Sequence, residues 1–197
     1  MRQFTEKEIE AMRKAALLER HNSIHSNYIY IGNERLEFVE QDIFYPCVRM
    51  KLPKTFLDLP TAFAEKIYPS QFRPAVIKTN PSLTVNFAFS YFDSRLQMDE
   101  VITCTHYYLS IMRHMHPGNR YMENSEHFMD KEETKILGWY TFSNPTMDGY
   151  RYNIHAFTAI EGKLLFCIFN SPKELFDEWK PYALESFDSI VSPREKR

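Results

Sequence analysis

Arg151, Asn153 and His155 alternate along a strand-like segment, and their types and spacing suit them to contact a ligand. In a strand, every second side chain points to the same face, so the three form one polar row. Buried polar groups need hydrogen-bond partners, so this row either reaches the end of the sheet, bonds to helix ends and loops, or lines a cleft. In the second case it predicts a ligand or peptide cleft with Trp139 and Tyr140 as aromatic contacts.

Two pairs of histidines have spacings that raise the question of metal binding. His21 and His25 are four residues apart, and such a pair on a helix places two imidazoles on one metal ion. They follow the predicted end of a helix, however, and no Asp or Glu occupies a matching position. His114 and His116 fall at the end of another predicted helix, where the C-terminal dipole favours a protonated ring. We therefore predict no metal site and no cofactor.

Catalysis by a nucleophile or by paired carboxylates finds little support in the sequence. Cys104 and His106 are two residues apart, and on a helix such side chains diverge by about 200°. They are not expected to form a catalytic pair, although a remote partner for Cys104 stays open. The adjacent carboxylates lack an apolar pocket that would raise a pKa, so we interpret them as solvated faces. These pairs are Asp99-Glu100, Glu132-Glu133 and Asp177-Glu178. We predict no catalytic residue.

Charge and glycine content argue against several classes of function. The 24 Lys and Arg against 26 Asp and Glu give a formal net charge of −2, so no excess of cations is present for nucleic acid or an anionic membrane. The five glycines are isolated, whereas loops that cradle phosphate need clustered glycines. We expect neither a nucleic-acid partner nor a membrane partner.

The N-terminus and the cysteines indicate a cytoplasmic protein. The first eight residues are charged and lack the apolar stretch of a secretory signal, and no later run approaches the ~18 apolar residues of a membrane span. Cys47, Cys104 and Cys167 are odd in number, far apart and set in apolar surroundings. This context predicts buried, reduced thiols rather than disulfides or a zinc site.

Alternating and helical patterns predict the elements that position these residues. Residues 83–91 alternate with a period of two, which predicts a strand, and residues 98–112 have apolar side chains three and four apart, which predicts a helix. Residues 163–169 are apolar on both faces, so we expect them inside a sheet that helices cover on both sides. A two-residue turn before this strand would place Ile160 opposite Lys163.

The remaining elements give the domain organisation. Thr5 and Glu8 predict a capping box for an N-terminal helix that runs to about Glu19. Further strands are predicted over 43–52, 75–79, 136–142 and 150–160, and a short hairpin or irregular extension over 28–31 and 36–39. A polar stretch lies around 124–126. A C-terminal helix is predicted over 173–190, with an interruption at Pro181. The predicted units are an N-terminal helix and hairpin extension at 1–42, a sandwich domain at 43–190 and a C-terminal tail at 191–197.

Three short segments and the order of the elements carry a family resemblance over residues 43–190. The segments are Leu52-Pro53-Lys54-Thr55-Phe56, Glu161-Gly162-Lys163-Leu164 and Ser189-Ile190. In these the chain resembles the PsbP-like α/β/α sandwich, which is shared by the extrinsic photosystem II subunit, a Ran-binding nuclear import factor and bacterial DcrB-like proteins. The resemblance implies an α+β fold with an antiparallel sheet flanked by helices, and the N-terminal helical extension lies outside it.

The resemblance also implies a binding or accessory scaffold rather than an enzyme, and it transfers no catalytic residues. Some cytosolic members act as adaptors or chaperones for secreted proteins. We therefore expect a cytoplasmic, non-enzymatic binding or adaptor protein with a protein partner. The alternative is a small-molecule-binding protein or an unrecognised hydrolase that uses the cleft around Arg151, Asn153 and His155. A self-associating structural protein is a third hypothesis, and both monomer and homodimer stay open.

Overall fold

The computed structural model of the chain describes residues 23–26, 28–68, 73–147 and 149–194, together with positions 5, 8 and 12. Thr5 and Glu8 make the reciprocal capping hydrogen bonds: the Thr5 amide donates to the Glu8 carboxylate at 2.9 Å, and the Glu8 amide donates to the Thr5 hydroxyl at 3.3 Å. Most of the helix predicted to follow them lies outside the described residues, so the fold does not support the N-terminal helical extension.

The described residues form eleven strands and three α-helices. The strands are β1 (Ile29–Ile31), β2 (Glu34–Leu36), β3 (Phe38–Phe44), β4 (Val48–Pro53), β5 (Leu57–Asp58), β6 (Val76–Thr79), β7 (Asn86–Arg95), β8 (Arg120–Phe128), β9 (Ile136–Thr146), β10 (Gly149–Ile160) and β11 (Lys163–Pro172). The helices are α1 (Thr61–Ile67), α2 (Val101–Met115) and α3 (Lys173–Asp188), and a short 3-10 turn (Met98–Glu100) precedes α2.

Seven strands form one antiparallel sheet in the order β5-β6-β7-β11-β10-β9-β8. Ile160 lies opposite Lys163, which confirms the predicted register of the β10–β11 hairpin. β1 pairs with β2, and β3 pairs with β4, in two smaller sheets. The long apolar strand β11 therefore lies inside the sheet, as its two apolar faces required.

Helices flank the two faces of this sheet, which confirms the predicted antiparallel α+β architecture. α3 packs on β10, β11 and β4. We call the face below α3 the closed face, because its central side chains Phe87, Phe89, Ile154, Ala156, Cys167 and Phe169 have no exposed surface. α2 packs on β9 and β10 of the other face, and α1 packs there beside β6. We call this second face the open face.

Four predicted segments differ from the structure. The strand predicted over 43–52 is a hairpin of β3 and β4, and the strand predicted from Leu83 begins at Asn86 because Leu83 lies in a turn with φ of 59°. α3 continues through Pro181 without interruption. The polar stretch around 124–126 is the edge strand β8, which pairs with β9 on one side and is mostly exposed. An exposed edge strand buries neither face, so it carries no apolar alternation.

The segment before residue 43 shares the main core. Ile24, Ile29 and Leu36 are each 1% exposed and pack with the side chains beneath α3. Two carboxylates of α3 accept backbone hydrogen bonds from this segment: Glu185 accepts from the Ile24 amide at 2.8 Å, and Glu178 accepts from the amide of Gly32. The domain boundary at 42/43 stays a prediction, but residues on its two sides pack together. No helix among the described residues is long and apolar enough to span a membrane.

Candidate functional site

Strand β11 shows how differently the two faces of the sheet are covered. On the closed face, Leu165, Cys167 and Phe169 have no exposed surface, whereas Phe166 and Ile168 on the open face are half-buried. Successive side chains of a strand point to opposite faces. The contrast therefore comes from what lies above each face and not from the composition of the strand.

A strip of the open face between α2 and α1 is only partly covered, and its Phe166 and Ile168 pack against the clusters beneath α2 and beside α1. α2 lies over β9 and β10, while Ala64 of α1 packs beside Ile77 of β6. The floor of the strip consists of Ser90 on β7 with Phe166 and Ile168 on β11, and Ser90 is the register neighbour of Phe166. We call this strip, together with the flank of α2 that borders it, the open groove.

Tyr108 identifies the flank of α2 that borders the open groove. Its ring stacks on that of Phe166, with 6.3 Å between centroids. Arg113, on the other flank, lies 5.6 Å from the ring of Tyr121 on the edge strand β8. Ile111 follows Tyr108 by three residues on the same side of the helix and is also half-buried. The wall of the groove is therefore aromatic and apolar.

His155 on β10 completes the floor as a neutral ring. Its Nδ1 lies 3.0 Å from the Tyr140 hydroxyl, and its ring packs edge-on against Phe142 and Phe166 at centroid distances of 4.8 and 5.0 Å. Burial, with a smaller contribution from His116, lowers the pKa of His155 to about 3. An imidazole with so low a pKa is a poor proton acceptor at neutral pH, so this ring is suited to packing rather than to acid–base chemistry.

Three buried asparagines form the polar end of the open groove. Asn86 on β7, Asn170 on β11 and Asn153 on β10 are register neighbours, and their exposed fractions are 0%, 3% and 7%. Asn86 Nδ2 donates to Asn170 Oδ1 at 3.0 Å, and Asn170 Nδ2 donates to the Tyr68 hydroxyl at 3.0 Å. Asn153 Nδ2 donates to Asn144 Oδ1 at 2.8 Å. Because Tyr68 directly follows α1, the network ties that helix to the centre of the sheet.

Arg151 adds a positive charge to the polar end. Its Nη1 donates to Asn170 Oδ1 at 2.7 Å, the same oxygen that accepts from Asn86. The side chain is half-buried, and no carboxylate in the described part of the chain forms an ion pair with it. Asn86 Oδ1 is buried and accepts no hydrogen bond from any described residue. Among the described residues, the polar end thus has a cation without a counter-charge and an acceptor without a donor.

Four of the five predicted site residues lie together on the open face. Arg151, Asn153 and His155 share that face of β10, and Tyr140 is the register neighbour of His155. Trp139 lies on the closed face instead, where Lys180 Nζ is 5.3 Å from its ring centroid. Asn153 and His155 form hydrogen bonds within the fold, as the structural interpretation of the polar row required, and Arg151 uses one of its five donors in its hydrogen bonds to described side chains.

Asn86, Asn170 and Tyr68 were not predicted as site residues. The signal for Asn170 was present, because the predicted hairpin register places it opposite Asn153. The signal for Asn86 needed the pairing of β7 with β11, which joins segments distant in sequence. Tyr68 reaches the network only through the position of α1, which no local pattern specified.

The other candidate residues lie apart from the open groove or bind elsewhere. His25 Nδ1 is 2.8 Å from Lys51 Nζ, His114 and His116 are exposed, and His21 lies outside the described residues. The three cysteines are free, and burial raises the pKa of the Cys104 thiol. Over the ranges that the structure describes, no three His, Cys, Asp or Glu side chains come together as a metal site.

A shallow depression of about 360 Å³ extends the open face beside α1. Leu59, Ala64 and Ile77 line it together with Arg73, which is paired with Glu65 at 3.4 Å. A second depression, of about 420 Å³, lies away from the open groove at the β10–β11 turn and is lined by charged residues that include the ion pair of Lys163 and Asp93. Neither depression contains Arg151 or His155.

The solved structures include a protein of the same architecture. The solution structure of cyanobacterial PsbP (CyanoP) from Synechocystis sp. PCC 6803 is similar over 82% of this chain and 95% of that chain, with 11% sequence identity and a TM-score of 0.56. The chain has a PsbP-like fold. At this identity the similarity bears on the fold alone. No protein-family model matches the sequence, and no curated protein matches it.

Two further solved structures have weaker similarity to this PsbP-like chain. A crystal structure from Bacteroides thetaiotaomicron VPI-5482 matches 76% of this chain and 46% of that chain, with 13% identity and a TM-score of 0.48. The apo structure of the immunity protein TplEi of T6SS from Pseudomonas aeruginosa matches 98% of this chain and 86% of that chain, with 12% identity and a TM-score of 0.37. Both TM-scores lie below 0.5, so neither similarity bears on function.

Proposed function

We propose that this chain is a cytoplasmic, non-enzymatic adaptor that holds a segment of a protein partner in the open groove. The observation that carries the proposal is the half-buried pair Phe166 and Ile168 in a strand whose other face is fully buried. Exposed apolar surface bordered by polar residues is typical of interaction sites on soluble proteins. The predicted N-terminal helix belongs to the proposal as a further element that could hold the partner.

The side chains around the groove favour binding over catalysis. Tyr108 and the 64%-exposed Tyr107 present aromatic surface along α2, and tyrosine is enriched at the centres of protein interfaces. His155 is neutral and bonded to Tyr140. Hydrolysis needs a base next to a nucleophile or an activated water, and the imidazole in the groove, that of His155, is a poor base because burial lowers its pKa to about 3.

Affinity capture with matched variants tests this function. Tagged wild-type protein, Ile168→Asp and Met147→Asp are incubated with extract of the cells that make the protein. Met147 is fully exposed in the β9–β10 turn, so its variant makes the same type of change outside the groove. We expect one stoichiometric protein with the wild type and with Met147→Asp, and its loss with Ile168→Asp.

The capture experiment needs a control for folding. Ile168→Thr is the milder change at the same position, and circular dichroism melting establishes that each variant is folded before capture. Recovery of the same partner by a folded Ile168→Asp protein would contradict the use of the open groove.

A small-molecule-binding protein remains the second candidate function. The specific observation in its favour is the polar end, where the half-buried Arg151 has no counter-charge among the described residues. A ligand selective for the folded protein raises its melting temperature. Thermal shift with a panel of metabolites therefore separates the two candidates, because the adaptor needs no metabolite.

A further inference from the structure

Strand β8 forms one end of the seven-stranded sheet, and its outer edge is free. Among the described residues, its backbone pairs with β9 alone. The Met129 amide donates to the Lys135 carbonyl, and in an antiparallel ladder such bonded pairs alternate with unbonded ones. Counting back from Met129, the amides and carbonyls of Asn124, Glu126 and Phe128 therefore point away from β9. These outward groups can pair with another extended strand.

Two titratable side chains lie on the closed face of β8 at equal distances from Ser125. Glu123 pairs with Lys180 of α3, and His127 Nε2 lies 2.7 Å from Asp188 Oδ1 at the end of the same helix. A second copy of β8 that pairs antiparallel about Ser125 places each Glu123 opposite the other copy's His127. When His127 is protonated, positive and negative groups then alternate from Lys180 of one copy to Asp188 of the other.

The open face of β8 fits the same register. Asn124 and Glu126 flank Ser125, so each Asn124 amide lies opposite the other copy's Glu126 carboxylate and can donate to it. Both residues have outward backbone groups, so each facing pair also exchanges two backbone hydrogen bonds. Pairing about Glu126 or about His127 would set identical titratable side chains opposite each other, and pairing about Asn124 would set Glu126 opposite Met122. The chemistry of β8 is therefore self-complementary in one register.

The same strand is poorly suited to pair with arbitrary sequences. A bulge between Tyr121 and Asn124 interrupts the ladder, and there the Glu123 amide donates to the Thr141 hydroxyl. Bulges and charged side chains on an edge strand discourage indiscriminate pairing. A second copy supplies the matching charges, which an unrelated strand does not.

We propose that β8 pairs antiparallel with β8 of a second copy about Ser125, so that two seven-stranded sheets join into one. This inference does not depend on the proposed adaptor function. The pairing leaves the open groove outside the interface, because β9 and β10 separate β8 from β11. The two-fold axis runs perpendicular to the sheet and keeps both open faces on the same side. A dimeric adaptor would thus present two grooves to one partner assembly.

Charge substitutions at Ser125 test the register with the full chain. Ser125 is exposed and lies opposite itself in the proposed dimer. Sedimentation velocity should give the wild-type protein twice the mass of one chain. Ser125→Glu and Ser125→Lys should each weaken the association by about tenfold or more, because like charges then face each other. An equimolar mixture of the two variants should recover the dimer, since the facing charges are then opposite.

Controls assign the effect to β8. Ser110→Glu makes the same change on the exposed side of α2 and should dimerise like the wild type. Melting curves establish that each variant is folded. Facing residues of an unbonded antiparallel pair have Cα atoms about 4.5 Å apart, which a disulfide can bridge. Mild oxidation should therefore convert Ser125→Cys into a covalent dimer on a non-reducing gel, while Ser110→Cys stays at the wild-type background.

Two results would overturn the inference. One is a wild-type protein that stays monomeric throughout the micromolar range. The other is a dimer that persists in both Ser125→Glu and Ser125→Lys, since the copies would then associate through a different surface. Capture with Ile168→Asp reads out the adaptor function separately, so either proposal can fail without the other.

Discussion

The closed and open faces of the sheet are built from the same strands and differ in what covers them. On β11, Phe169 has no exposed surface while Phe166, three residues earlier, is half-buried. The 16-residue helix α3 and the β3–β4 hairpin share one core with the closed face. The 15-residue helix α2 and the seven-residue helix α1 leave a strip between them on the open face. The two apolar faces of one strand are thus buried to different degrees.

The two faces also differ in their polar chemistry. The open face carries the asparagine network and Arg151, while the side chains at the centre of the closed face are apolar. A buried polar network rigidifies a structure when it is fully satisfied and is costly when it is not. The incomplete network at the end of the open groove is therefore the part of the sheet least explained by stability alone.

The largest expected effect compares the two phenylalanines of β11. Phe169→Ala should lower the free energy of unfolding by about 3–5 kcal/mol, because it leaves a cavity in a fully buried cluster. Phe166→Ala should cost about half as much, since its ring is already partly in solvent. Urea denaturation at pH 7 measures both. Equal losses would mean that the open face is as well covered as the closed face.

The pH dependence of stability sharpens the comparison through His155. Its folded-state pKa is lowered to about 3, so below about pH 6.5 the unfolded chain binds a proton that the folded chain does not. Above about pH 6.5 the free energy of unfolding does not depend on the protonation of His155. Below that pH it decreases by up to about 1.4 kcal/mol for each pH unit. His155→Gln should flatten the dependence between pH 7 and 5 in denaturant titrations; an unchanged slope would refute a buried neutral ring.

Gly138→Ala tests how firmly α2 is seated beside the open groove. A Cβ at position 138 would lie 2.2 Å from Thr105 Oγ1 and 3.0 Å from Thr105 Cβ, so the helix would have to move. We expect a loss of about 2 kcal/mol, typical of overpacking. Thr105→Ala in the same chain should restore part of it, because the Oγ1 contact disappears. If Gly138→Ala left the free energy of unfolding unchanged, α2 would shift without cost, and the strip beside it would have no fixed width.

The smallest expected effect concerns His127, which links β8 to the end of α3 on the closed side. The hydrogen bond from its Nε2 to Asp188, at 2.7 Å, raises the pKa of His127. The stabilisation of the folded state by this pair is complete below about pH 6.5 and is lost as the pH rises through the folded-state pKa of His127. The resulting pH dependence is opposite in sign to that of His155. For so exposed a pair we expect about 0.5 kcal/mol.

A double-mutant cycle of His127→Gln and Asp188→Asn at pH 6 and pH 8 measures this coupling. We expect a favourable coupling energy at pH 6 that is smaller at pH 8. A coupling energy that is larger at pH 8 than at pH 6 would contradict a pairing of Asp188 with protonated His127.

Local patterns predicted the fold better than the site. The period of two in 83–91, the helical spacing in 98–112 and the two apolar faces of 163–169 each specify an element or its environment, and β7, α2 and β11 follow them. β8 was missed because an edge strand needs no buried face. The polar row at Arg151 was recognised, but the Asn86–Asn170 pair depends on long-range strand pairing. Trp139 was predicted as an aromatic contact of the cleft together with its neighbour Tyr140, although adjacent residues of a strand point to opposite faces.

Site-specific photo-cross-linking tests the central claim, that the open face holds the partner. Benzoylphenylalanine replaces Phe166 in the groove or, as the matched control, Met147, which is fully exposed in the β9–β10 turn. After irradiation in the cells that make the protein, we expect a discrete adduct with a second protein from position 166 and none from position 147. An adduct from position 147 with none from a folded 166 variant would contradict the account.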